Sequence, residues 1–272
     1  MLLEILSFDF MQNALIAGVL VAIACGVMGS FVVVNKLTGL SGGVAHASYG
    51  GVGLAAFVGF SPMLGSLAFA LVCAILMGFL TWKNRSRSDT LIGVIWAFGM
   101  ALGIILTDLK PGYANDMMSF LFGSILTVPT SLLVFMGLLL FMILFFTVFY
   151  FKEFLALSYD PEFAQIKGVP VFPLYLLLIS LITFTVVMAV QAVGLILVIA
   201  LLTIPAYIAE SHANHLKMMI YISVAISIFL VLSGLMIAYY INFTVGPVII
   251  LIGVLAYLFN LLFLQFKKKR HA

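Results

Sequence analysis

The amino-acid sequence predicts an all-α, polytopic membrane protein: a bundle of about eight or nine transmembrane helices with glycine-rich packing. Three observations carry this. Of 272 residues, 65% are hydrophobic and only 8% charged, and the mean hydropathy is +1.32; lipid-facing helices require that much apolar surface, whereas a soluble core rarely does. The charge-poor stretches are long. Lys36 is the only Lys, Arg, Asp or Glu between Phe10 and Trp82, and none occurs from Gly168 to Ala209 or from Met218 to Leu264. Finally, under a nine-crossing count all of the 12 Lys and Arg residues except Lys110 fall on one side.

A helix needs about 20 residues to span the hydrocarbon, so each charge-poor stretch must hold more than one crossing. Crossings are expected near 10–34, 44–60, 62–82, 90–108, 129–150, 172–190, 193–209, 218–240 and 246–265. Gly59-Phe60-Ser61-Pro62, Val190-Gln191-Ala192-Val193-Gly194 and Asn242 to Pro247 separate neighbouring spans. Pro and Gly are tolerated inside membrane helices, so each break has a kink as its alternative, and the Gly-rich 44–60 segment has a re-entrant one. Lys36, Lys83, Arg85, Arg87, Lys152, Lys167, Lys217 and Lys267 to Arg270 share one side, which the positive-inside rule assigns to the cytoplasm. Glu4, Asp9, Asp108, Lys110 and Asp116 then lie outside. The expected location is a prokaryotic cytoplasmic membrane, with the C-terminus cytoplasmic because four adjacent basic residues follow the last apolar run.

Residues 1–272 read as a single transmembrane domain. The connections 109–128 and 151–171 are too short to bury cores of their own, and no nucleotide-binding signature occurs. The N-terminus lacks a basic n-region and reads as a first membrane helix rather than a secretory signal. Cys25 and Cys73 both fall within spans and offer no disulfide framework. Nothing points to nucleic acid.

The most distinctive segment runs from Gly39 to Gly53 around His46. Glycine and alanine let helices approach closely, where van der Waals fit holds a membrane bundle together. A polar side chain inside a membrane faces protein or water, and neutral imidazole is a good ligand for borderline divalent metals. His46 is therefore a candidate transient metal ligand, against the plainer reading of a histidine bonded to a nearby carbonyl. Glu210, His212 and His215 form a second polar cluster at the expected cytoplasmic exit, poorly spaced for one helical face and also readable as headgroup-facing residues. Gln191 reads as an entrance or a helix break, and Asp89 as a cap for the helix that follows.

Several separated blocks resemble the permease subunits of the zinc, manganese and iron uptake family of ATP-binding cassette transporters. The run ending His46-Ala47 resembles the family's early Gly-Asp-…-Ser-His-Ala segment, and Asp116 to Leu126 its external Asp-…-Leu-Phe-Gly segment. Asp160 to Pro170 resembles the cytoplasmic segment before a membrane helix; Leu195 to Ala206 and Thr244-Val245-Gly246-Pro247 resemble two further blocks. The resemblance implies a type II-like importer permease, paired with a second copy of itself and with two cytoplasmic ATPases. An extracytoplasmic metal-binding protein or lipoprotein would deliver the ion. Residues 152–171 would be the coupling segment, with Asp160, Glu162 and Gly168 touching the ATPase. No permanently bound cofactor is implied: the divalent metal is cargo, and ATP is used by the partner, so the chain itself is not an enzyme. One departure matters. Family members commonly carry Asp four residues before the histidine, where i and i+4 share a helical face, and this chain has Gly42.

The expected function is inward movement of a divalent transition metal, zinc or manganese and possibly iron, driven by a separate ATPase. A gradient-driven secondary transporter would need coupling sites near mid-membrane, and this chain has almost no buried carboxylates there. A non-transporting membrane scaffold is the other alternative.

Overall fold

The computed structural model describes residues 8–83, 87–109, 123 and 125–270. Glu4, Arg85, Lys110 and Asp116 lie outside them, as does most of the Asp116–Leu126 block. The described residues form eleven α-helices: α1 (Asp9–Val34), α2 (Thr38–Val58), α3 (Pro62–Lys83), α4 (Ser88–Asp108), α5 (Thr130–Phe149), α6 (Phe151–Tyr159), α7 (Pro161–Ile166), α8 (Val171–Val193), α9 (Leu195–Glu210), α10 (Leu216–Ile241) and α11 (Val245–Arg270). Seven of them, α1, α3, α4, α5, α8, α10 and α11, are long and apolar enough to cross a membrane. Lipid supplies no water to satisfy backbone groups, so each apolar stretch closes its hydrogen bonds within a helix.

Two further helices, α2 and α9, occupy the remaining segments expected near 44–60 and 193–209. At about 1.5 Å per residue, the 21 residues of α2 reach about 31 Å, close to the hydrocarbon thickness of about 30 Å. Its glycines, serines and histidine keep its hydropathy low, yet 14 of its 21 residues are buried. Helix α9 has 16 residues, is apolar and carries Pro205 without breaking. The expected breaks are true helix ends: Gly59 and Asn242 adopt left-handed backbone and Gly194 a positive φ. Helix α2 begins six residues before the expected start, because in a dry interior the Gly39–Gly43 run gains more from closed backbone bonds than glycine's low helix propensity costs. Asp89 lies in the first turn of α4 rather than at its cap.

Contacts between helices order the bundle. Gly43 lies against Ile92, Gly50 against Gly99 and Gly53 against Gly103, so α2 and α4 run parallel. Gly51 meets Gly65 and Gly43 meets Met77, so α3 packs antiparallel on α2. A methyl at Gly53 would overlap the Gly103 backbone; only the absence of a Cβ allows this approach. Helix α1 runs through the core, antiparallel to α10, with Gly26 on Val224 and Gly18 facing Val231.

Lys36, Lys83, Arg87, Lys152, Lys167 and Lys217 lie at or between helix ends that gather at one end of the bundle. There Asn35 Nδ2 donates to Ser158 Oγ at 2.9 Å and the Thr81 and Tyr175 hydroxyls lie 3.4 Å apart. One cavity joins Lys36 and Asp89 to Pro161, and another joins Lys152 to Lys217. At the opposite end Asn13 Nδ2 donates to the Val128 carbonyl (3.2 Å), and Gln191 Nε2 donates to Ser66 Oγ (2.9 Å). Gln191 thus ties α8 to α3 and sits within a helix. Cys25 and Cys73 are buried and unpaired.

Candidate functional site

Helix α2 sets His46 beside Trp96 of α4, with α9 one turn away at Gly42. The histidine is half-buried. Its Nδ1 lies 2.8 Å from the carbonyl oxygen of Gly42, one turn earlier. A carbonyl only accepts, so Nδ1 carries the proton and donates, and in the neutral ring Nε2 keeps its lone pair. This is the carbonyl bond that the plainer reading of His46 expected, and it fixes the ring's tautomer and orientation.

Trp96 of α4 completes the setting. Its ring centroid lies 4.2 Å from that of His46, tilted by 38°, and its indole N–H donates to Met100 Sδ at 3.0 Å. The indole is held by a soft sulfur partner and in turn restrains the imidazole. Trp96 is 40% exposed, so the pair stands at the open side of the chain rather than in its core. No sequence expectation named Trp96 or Met100. The available signal was position: tryptophan favours membrane interfaces, and Trp96 falls near the middle of a 21-residue span.

Below His46, toward the basic end, Gly42 faces Ile199 of α9. A Cβ at residue 42 would lie 3.4 Å from Ile199 Cδ1, an ordinary contact. Ile199 is also a wall of a cavity of about 500 Å³ lined by Lys36, Thr38, Thr203 and Tyr207. The turn bearing His46 therefore connects through one aliphatic side chain to an open, mainly apolar pocket at the basic end, with the Thr38, Thr203 and Tyr207 side chains among its walls.

The other expected residues are placed apart from His46. Glu210, the last residue of α9, and His212 and His215 just beyond it are exposed. His212 Nε2 lies 2.7 Å from Asn260 Oδ1 and therefore donates to it, while Asn260 Nδ2 donates to Ser211 Oγ at 3.2 Å. Among the described residues, no group of three or more His, Cys, Asp or Glu side chains is close enough to hold an ion.

The expected coupling residues surround α7. Asp160 is its N-cap: its Oδ1 accepts from the Phe163 N–H at 2.9 Å, with Pro161 at the first helical position. Glu162 lies in the first turn, where its charge suits the helix dipole. Gly168 ends the segment at φ +81°, with the Val169 N–H closing on the Ala164 carbonyl at 3.0 Å. Tyr159 at the end of α6 (63%) and Phe163 (54%) and Ile166 (82%) of α7 are exposed.

Comparison with known proteins agrees with this architecture. Residues 7–264 match the ABC 3 transport family. The chain is 47% identical over 262 residues to an uncharacterized membrane protein of Synechocystis sp., covering 96% of this chain and 93% of that one. It is 32% identical over 271 residues to the manganese transport system membrane protein MntC of Listeria monocytogenes, covering 98% and 96%. A chain of PsaBC from Streptococcus pneumoniae, solved in complex with Fab, superposes with a TM-score of 0.86 at 32% identity, covering 96% of this chain and 95% of that chain. A gradient-driven carrier and a passive scaffold give way to these likenesses: this chain belongs to the ABC 3 transport family.

Proposed function

We propose that this chain is the membrane permease of an ATP-binding cassette importer that moves a divalent transition metal ion, manganese or zinc, into the cytoplasm. It is a permease subunit and not an enzyme; ATP is hydrolysed by a separate subunit. The observation that supports a role for His46 in the path is its hydrogen bond to Gly42, which leaves Nε2 as a lone-pair donor at the open side of α2. One histidine binds an ion weakly enough to release it, as a conduit requires.

A second copy of the chain would face the side that exposes Trp96, bringing two His46 side chains to one path. An extracytoplasmic metal-binding protein or lipoprotein would load the ion at the end bearing Gln191. The end rich in lysine faces the cytoplasm by the positive-inside rule, which puts the C-terminus there, in a prokaryotic cytoplasmic membrane. Release would then pass Ile199 into the chamber of Thr38, Thr203 and Tyr207. Glu210, His212 and His215 would act as separate hand-off residues beyond it, since Asn260 already holds His212. Residues 152–171 would couple the single transmembrane domain to the ATPase, with Tyr159, Phe163 and Ile166 as its apolar docking face and Asp160, Glu162 and Gly168 shaping it.

The test is ATP-dependent uptake of Mn²⁺, Zn²⁺ and Fe²⁺, measured separately by elemental analysis, into proteoliposomes holding the permease, its ATPase and its binding protein. Saturable accumulation of one ion is expected, and His46→Ala should abolish it in a complex that still assembles. Wild-type uptake by assembled His46→Ala would refute the role of His46. No accumulation of any ion would refute the cargo.

A further inference from the structure

We propose that a lateral groove between α1, α5 and α10 is a binding site for an anionic phospholipid of the leaflet at the basic end. The groove encloses about 770 Å³, within the range of about 300–1,000 Å³ of sites that accept a whole small molecule. Its floor is Ile23 and Val27 of α1, and its walls include Leu144 and Val148 of α5 and Ile220 and Val224 of α10. Val148 is 76% exposed, so no protein within the chain covers this wall. A channel lined this way along a membrane span suits an acyl chain.

The mouth is different. Where α5 passes into α6, Lys152 and Glu153 line the rim, and Lys217 from the first turn of α10 lines it from the other side. Lys217 Nζ sits 5.3 Å from the centre of the Phe151 ring, a cation–π contact that holds the ammonium over the opening. Among the described residues neither lysine is ion-paired to a carboxylate. Two lysines against one glutamate leave the rim with one excess positive charge, matched to a monoanionic phosphodiester headgroup. Basic pockets between membrane helices at headgroup depth are where anionic lipids are recognised. The charge complementarity at the rim and the apolar channel beneath it select a phospholipid over a free anion or a second protein.

The experiment uses the complete permease–ATPase complex, purified in detergent and exposed to mixed micelles of phosphatidylglycerol or phosphatidylcholine. Native mass spectrometry reads lipid retained per permease, and thermal unfolding reads stabilisation. Phosphatidylglycerol should be retained and should raise the melting temperature more than phosphatidylcholine. Lys152→Gln with Lys217→Gln should weaken retention about thirtyfold, at about 1 kcal/mol per lysine. Val148→Trp, which fills the groove and keeps the charges, should lose the lipid as well. Equal retention of the two lipids by the wild type overturns the proposal without reliance on any variant. Undiminished retention by either variant overturns it too, as does cross-linking from Val148→Cys in native membranes to a polypeptide instead of a lipid.

Discussion

His46 Nδ1 donates to the carbonyl oxygen of Gly42 at 2.8 Å, so the residue that lacks a side chain still orients the histidine one turn later. The backbone supplies this bond whatever residue stands at 42. A side chain there would add a ligand without removing the existing support.

Gly42→Asp is therefore expected to fold and assemble normally, since its Cβ meets only Ile199 Cδ1 at 3.4 Å. It would place a carboxylate on the face of His46. Oxygen donors suit manganese better than zinc, so the ratio of Mn²⁺ to Zn²⁺ uptake should rise by about tenfold, the lower end of what a well-placed metal-site group contributes. Competitive uptake in proteoliposomes reads this directly, and an unchanged ratio would count against a metal path at this turn.

Trp96 acts on His46 through ring contact at 4.2 Å. Trp96→Ala should reduce metal uptake at limiting concentration about tenfold, in the manner of lost outer-shell support. Trp96→Phe, which keeps an aromatic face, should recover most of it. Equal loss in both would assign the role to the Trp96–Met100 hydrogen bond instead.

Asp160 caps α7 through the Phe163 N–H. Asp160→Ala should cost about 1 kcal/mol of local stability and lower the ATPase stimulation measured in the assembled complex. Asp160→Asn keeps a capping oxygen and removes the charge, so it should behave like the wild type. A defect in Asp160→Asn would point to a direct charge contact with the ATPase.

Helices α2 and α4 meet at Gly53 and Gly103 with no room for a methyl group. Gly53→Ala should destabilise the permease by about 1–3 kcal/mol through overpacking, seen as a lower melting temperature in detergent. Gly93→Ala, on α4 with open space around it, should leave the melting temperature unchanged or raise it, because alanine is the better helix former.

Hydropathy and charge by themselves determined the membrane class, the seven long apolar helices, and the breaks at Gly59, Gly194 and Asn242. These are local properties: a helix in lipid is specified by its own apolar length, and a left-handed residue ends it wherever the neighbours lie. His46 was legible for the same reason, as an ionisable residue in a run of small ones. Only the tertiary structure decided what surrounds it. The parallel pairing of α2 with α4 depends on glycine contacts between segments about fifty residues apart in sequence, and no periodicity within α2 encodes which helix receives it. That pairing places Trp96 on His46, while the packing of α9 on α2 sets Ile199 against Gly42 and its packing near α11 brings His212 to Asn260. Hydrophobic pattern says that a helix is buried; packing complementarity between distant segments selects the partner against which it is buried.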